Sequence, residues 1–263
     1  MTVRYVDTHC HLQLGQYAND RKEIIARMQE EGIAAIVVGD DYKSSEEAVL
    51  LAEKYEHLFA VVGAHPDHIG QELFDETTFR ELAENKKVVA IGECGLDYFR
   101  AADDETKNAQ KELFKKHIAL AVELDKPLMI HARPSKGTQD VYEDLIAILK
   151  REKTKYPKLR GNIHFFAGTL EEAQEFFALG FTISFTAVIT FARDYDAVIR
   201  AVPLANILSE TDAPFVAPAS RRGERNDPLA VIEVVEQIAS IRGADLEAVR
   251  QALLSNAQRF FAL

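Results

Sequence analysis

Cysteine, long apolar runs and positive charge are all scarce in this 263-residue chain, and each scarcity excludes something. Two cysteines, Cys10 and Cys94, are too few for a disulfide framework, so a reducing cytoplasm is the expected compartment. No apolar run approaches the roughly 20 residues needed to cross a bilayer, so no membrane partner is expected. The N-terminal MTVRYVDTHCHL shows no basic segment leading an apolar one, unlike a signal peptide. Thirty-one Lys and Arg against 42 Asp and Glu leave a net charge of −11, which excludes a broad basic surface wrapping nucleic acid through its phosphates. A local site whose positive charge comes from metal ions remains compatible with that balance. Linkers, low-complexity tracts and composition breaks are missing as well. One domain over residues 1–263 is the expectation.

The chain does have a recurring pattern: a short apolar run ends in a polar or metal-capable residue, and a longer stretch with helical spacing follows. The runs are Val3–Thr8, Ile33–Val38, Leu58–Ala64, Val88–Gly92, Pro127–Ile130, Asn162–Phe166, Phe181–Phe185 and Ile207–Glu210. Short β-branched runs separated by helices read as buried parallel strands. Ser44-Ser45-Glu46-Glu47 and Thr169-Leu170-Glu171-Glu172 resemble helix starts, with hydroxyls ahead of carboxylates. Eight strand–helix units in about 250 residues predict a closed (β/α)8 TIM barrel. The rival, an open doubly wound sheet, normally carries a Gly-rich turn after its first strand, and Asp7-Thr8-His9-Cys10-His11 is not one.

The strand ends carry the chemistry. His9 and His11 are two apart, so in a strand both imidazoles face one side while Cys10 faces the other. By itself that pair says little. Glu93 follows Val88–Gly92, however, His131 follows Pro127–Ile130, His164 lies in Asn162–Phe166, and Asp212 comes just after Ile207–Glu210. In a barrel these positions converge on the C-terminal face, where active sites of this fold lie. Each histidine taken singly reads as well as a satisfied core residue. The carboxylates do not, because an unpaired buried anion is costly. Together, four imidazoles and two carboxylates suit two divalent ions, Zn, Mn or Mg, with Glu93 as the bridge.

Several motifs extend this reading: Asp7-Thr8-His9-Cys10-His11-Leu12, Gly63-Ala64-His65-Pro66, Gly92-Glu93-Cys94-Gly95-Leu96-Asp97-Tyr98 and Pro127 to Arg133. Further along come Ser184-Phe185 with Thr190-Phe191, Glu210-Thr211-Asp212-Ala213-Pro214, Arg222 to Pro228, and Asn256. In order and spacing the chain resembles the TatD-like metal-dependent deoxyribonucleases of the amidohydrolase superfamily over nearly its whole length. The resemblance implies a barrel with His9, His11, Glu93, His131, His164 and Asp212 at the family's metal positions. It also implies hydrolysis of DNA phosphodiester bonds, as a 3′–5′ exonuclease or an endonuclease, with Mg or Mn. The chain departs from the family after His164, where Phe165-Phe166-Ala167-Gly168 replaces the usual Cys-Phe-Ser-Gly. It also has Glu93 where other branches of the superfamily use a carbamylated lysine.

Around the metals, Arg133 lies two positions past His131 and shares its face if the strand continues. Arg221, Arg222 and Arg225 cluster after Asp212, beside Asn226, and guanidinium matches phosphate well; pairing with Glu224 and Asp227 is the competing reading. His65 is placed to orient a phosphate or to donate a proton. Tyr98 and Phe99 offer rings to a base or ribose, or else pack. The basic run Lys150–Arg160 precedes strand six and reads as a solvated loop on the stability face.

Three activities fit. The first is DNA hydrolysis at single-stranded or frayed ends, with Glu93 fixing the metals and Asp212 taking the proton of the attacking water. The second is an amidohydrolase or esterase acting on a small molecule. The third is a non-catalytic protein that metal stabilises.

Overall fold

The computed structural model describes residues 2–69, 74–101 and 103–263. Eight strands, β1 (Tyr5–Cys10), β2 (Ile33–Val38), β3 (Leu58–Val62), β4 (Val88–Asp97), β5 (Leu128–Arg133), β6 (Gly161–Ile163), β7 (Thr182–Phe185) and β8 (Ile207–Ser209), form one parallel sheet in sequence order. The helices between and after them are α1 (Arg21–Glu31), α2 (Tyr42–Lys54), α3 (Glu76–Ala83), α4 (Asp104–Glu123), α5 (Asp140–Lys155), α6 (Leu170–Ala178), α7 (Asp196–Ala201), α8 (Val231–Arg242) and α9 (Leu246–Phe261). This is the expected (β/α)8 TIM barrel.

The strands form because they are apolar on both faces. Ile33-Ala34-Ala35-Ile36-Val37-Val38 is buried at every residue, as a strand must be when it lies between a barrel interior and a layer of helices. Val6, Ile36, Val61, Ala90, Met129 and Leu208 pack into one small inner cluster, which α9 closes with Leu254, Ala257 and Phe261. A larger cluster fills the space between strands and outer helices. Helix starts follow local chemistry. Thr169 caps α6 in a box with Glu172, at the expected place. The start read at Ser44-Ser45-Glu46-Glu47 lies earlier, because Asp41 is the cap and Ser44 completes its box from the third helical position.

Strand β8 is short, and side chains complete its join to β1. Thr8 Oγ1 donates to the Ser209 carbonyl at 3.0 Å. Buried Asp7 accepts from the Thr211 amide at 2.8 Å and from its hydroxyl at 2.6 Å. Beyond the join, the Asp212 amide donates to the His9 carbonyl at 2.9 Å and the His11 amide to the Ala213 carbonyl at 2.7 Å. The first and last metal-capable segments are therefore laced together. One expectation is corrected: Lys150 to Lys155 are the last turns of α5 rather than a loop, and Lys150 and Lys155 pair with Glu175 and Glu152. The helical spacing Leu145, Ile148, Leu149 simply continues through the basic residues.

Candidate metal centre

The candidate ligands lie within the C-terminal halves of their strands or just past the strand ends. His9 is in β1 and His11 follows it. Strand β4 runs to Asp97, so Glu93 lies inside it rather than at its end. Glycine makes that possible: a Cβ at Gly92 would strike the Met129 carbonyl, and one at Gly95 the His131 carbonyl, both at positive φ. His131 is in β5, while His164 and Asp212 follow β6 and β8.

Glu93 lies between two sets of donors. Its Oε2 is 3.4 Å from His9 Nε2 and 3.8 Å from His11 Nε2. Asp212 Oδ1 stands 3.8 and 3.6 Å from the same two nitrogens. The other oxygen, Oε1, is 2.8 Å from both His131 Nδ1 and His164 Nε2. Within each set imidazole nitrogens confront one another, at 3.2 Å for His9 and His11 and 3.3 Å for His131 and His164. Nitrogen lone pairs held that close need a proton or a cation between them, so the donor set fits divalent metals.

The charges support that fit. Burial opposes ionisation of Glu93, yet the pull of His164, His9 and His65, with a hydrogen bond from His131, holds its carboxyl well below the usual range. Burial also works against His164, but Glu93 and Glu210 push it well above an ordinary imidazole. His11 is pushed up to about 9, where the hydrogen bond to Asp212 and the charges of Glu93, Asp212 and Asp40 outweigh burial. Burial opposes a charged His131 too, but its bonds to Asp97 and Glu93 raise it. His9 goes the other way, lowered first by burial and then by His164. Without cations, protons on the imidazoles balance the carboxylates, and bound metal would displace those protons.

A further layer of residues orients the ligands. His131 Nε2 meets Asp97 Oδ2 at 3.2 Å, and His11 Nδ1 donates to the Val38 carbonyl at 2.8 Å. Glu210 accepts from the Phe165 amide at 2.7 Å and Ser184 Oγ at 2.6 Å, with His164 Nδ1 3.4 Å away. Fully buried Gln110 of α4 joins two strand ends, donating to the Pro66 and Asp97 carbonyls and accepting from the Asp97 amide. Asp97 and Glu210 both lie in motifs read from the sequence, but nothing in the spacing singled them out. Gln110 and Asp67 gave no signal at all.

The remaining candidates divide. His65 lies in the site, its Nε2 3.5 Å from Glu93 Oε1 and its Nδ1 in a short bond with Asp67. Burial, then His131, lowers its pKa, which suits a neutral orienting imidazole better than a proton donor. Strand β5 does continue to Arg133, and His131 and Arg133 line one cavity of about 600 Å³ with the other metal donors except fully buried His9, and with Arg100, Leu14, Phe215 and Val216. Tyr98 is elsewhere: it is 3% exposed, and its hydroxyl donates to Asp144 at 2.6 Å, because the chain leaving β4 turns this ring towards α5. Arg225 is also diverted, held outside the cavity by Asp20 and stacked on Tyr17. Asn226 is fully buried and binds the Thr211 and Val216 carbonyls, so it braces the Asp212 loop and does not face the cavity. Arg222 is exposed and lies over the Phe191 ring at 3.7 Å, off the cavity wall. Arg221 pairs with Asp227, as the competing reading held.

Comparison with known proteins agrees with this geometry. A family model described as TatD related DNase matches residues 6–262. YabD of Bacillus subtilis, an uncharacterized metal-dependent hydrolase, is 38% identical over 261 residues, covering 98% of each chain. A protein of Erwinia tasmaniensis named 3'-5' ssDNA/RNA exonuclease TatD is 34% identical over 269 residues, 98% of this chain and 99% of its own. Among solved structures, YjjV, a TatD homolog from Escherichia coli, superposes with a TM-score of 0.89 at 30% identity and full coverage of both chains.

Proposed function

The chain belongs to the TatD-related DNase family and is a metal-dependent hydrolase, and from that premise we propose that it hydrolyses DNA phosphodiester bonds at single-stranded or frayed ends. The observation that carries the proposal is the division of Glu93, one oxygen towards His9 and His11 and the other towards His131 and His164. Such a division suits two neighbouring divalent ions, Mg or Mn with Zn also accommodated, held by the first set with Asp212 and by the second set. When bound, a pair of this kind stabilises the attacking and leaving oxygens of an in-line displacement and makes water acidic near neutrality.

The chain's own groups supply the rest. Burial opposes charge on Asp212, but the bond to His11 and the charges of His9 and His164 keep it ionised, as a proton acceptor for the attacking water must be. His65, steadied by Asp67, would orient a phosphate oxygen. Arg133 is the cavity arginine without a carboxylate partner among the described residues; its guanidinium lies over the Phe99 ring at 4.1 Å. That charge would offset a phosphate in the transition state. The name of the Erwinia relative supports a nucleic-acid substrate.

The test is cleavage of an end-labelled single-stranded oligonucleotide after chelation and add-back of Mg, Mn or Zn, beside Glu93→Ala and Asp212→Ala. Metal-restored cleavage that both substitutions abolish is the expected result. Inert oligonucleotides together with turnover of an amide or lactone panel would overturn the proposal.

A further inference from the structure

Four strand ends around the mouth place two unlike walls opposite each other. Strand order is sequential around the barrel, so β8 and β1 lie across from β4 and β5. The β8–β1 side presents Phe215, Val216 and Leu14, and the β4–β5 side presents Arg100 and Arg133. The metal donors lie between them. One wall is apolar and aromatic; on the other, Arg100 is paired with Asp67, so its positive charge comes from Arg133.

Phe215 is 48% exposed, yet its backbone is fixed. Its amide donates to the Asp212 carbonyl at 2.9 Å, closing a turn that begins at a metal-site residue. Asn226 pins the same loop from inside: its amide donates to the Pro214 carbonyl at 3.1 Å, and its side chain reaches the Val216 carbonyl at 3.3 Å. The Phe215 ring stands edge-on to His11, with centroids 5.8 Å apart. A large apolar ring left half exposed on a braced turn contributes less to folding than a buried one would. It pre-pays the ordering that a stacked ligand would otherwise require.

We infer that Phe215 is a stacking platform for a nucleobase beside the scissile phosphate, with the neighbouring phosphate on the Arg133 side. The inference rests on the phosphodiesterase proposal and gives it a direction: the base lies against the β8–β1 wall and the backbone crosses the metal site towards β5. Stacking on an aromatic face is tolerant of sequence and needs an unpaired base, so this wall favours single strands over duplex.

The experiment compares oligonucleotides that carry either thymine or an abasic residue at the terminal positions, with wild type, Phe215→Ala and Phe215→Tyr. Wild type is expected to prefer the base by roughly tenfold or more in kcat/KM, mostly through KM. Phe215→Ala should bring that ratio near one and Phe215→Tyr should keep it. Thermal shift supplies a readout independent of turnover: thymidine monophosphate should stabilise wild type more than deoxyribose phosphate does, and the difference should vanish in Phe215→Ala. If Phe215→Ala folds poorly, Phe215→Leu gives the same comparison with apolar area kept and the π-face removed. A base preference that survives loss of the ring, or is absent in wild type, overturns this inference while leaving the phosphodiesterase proposal intact. Failure of wild type to cut any oligonucleotide with any metal overturns both.

Discussion

Replacing Glu93 by Gln tests the divided carboxylate directly, because it removes one charge while keeping nearly the same shape. The first set of donors retains His9, His11 and Asp212, whereas the second retains only His131 and His164. Four-ligand structural zinc sites are worth about 10–16 kcal/mol, so a single ligand contributes about 3 kcal/mol, or roughly a hundredfold in affinity. The amide oxygen still coordinates one side, and the three-donor set competes better for it. We expect two tightly held ions per chain in the wild type and one in the variant, with the second weakened by about a hundredfold or more. Elemental analysis after dialysis against a metal buffer gives the count, and calorimetric titration with Mn or Zn gives the affinities. Circular dichroism checks that the barrel has formed. Two ions held at wild-type affinity would refute the bridging role. Loss of both would show that Asp212 and the first two histidines do not make a site without Glu93.

Three further outcomes follow from the same geometry. In the metal-free protein His11 is pushed up to about 9 and His164 well above an ordinary imidazole, so both hold protons that metal must displace; calorimetry in buffers of differing ionisation enthalpy should show one or more protons released per filled chain at pH 7. Apparent metal affinity should therefore rise with pH until His11 titrates near 9, and a release below one proton would contradict the charge assignment. Asp97→Asn weakens the acceptor that fixes the His131 ring, and a 10- to 100-fold loss of metal affinity is expected, read from the same titrations. Asp7→Ala leaves the Thr211 amide and hydroxyl buried without an acceptor across the β1–β8 join, and a loss of about 2–4 kcal/mol in denaturant unfolding is expected.

The sequence made the barrel and the donor set legible because both are written in local patterns. Buried parallel strands need continuous apolar runs, and all eight runs found their strands, with ends displaced by a few residues. The displacement was largest in β4, where Gly92 and Gly95 let the strand pass the site and continue to Asp97. Metal-capable residues at strand ends converge in any closed barrel, so topology alone gathered them. Side-chain direction beyond the strands was not legible. Tyr98 and Phe99 are adjacent, but one ring is buried against α5 while the other backs Arg133. Arg222, Arg225 and Asn226 are as polar as any substrate ligand, and only the path of the loop after Asp212 shows that they brace it or lie outside the cavity.

That loop also bears on the charge of the chain. An excess of acidic side chains repels a polyanion everywhere except where cations are concentrated. Most arginines near the mouth are neutralised locally: Arg100 by Asp67, Arg221 by Asp227, Arg225 by Asp20. Arg133 instead leans on an aromatic ring, which steadies a guanidinium without cancelling its charge. Together with the metals it would confine attraction for phosphate to one cavity of about 600 Å³. An unpaired terminus entering the cavity would meet Arg133 and the metal donors directly. For the substrate proposed, the −11 charge and the divided Glu93 would act in one direction: the net charge would oppose binding along the polymer, and the metal site would take up its end.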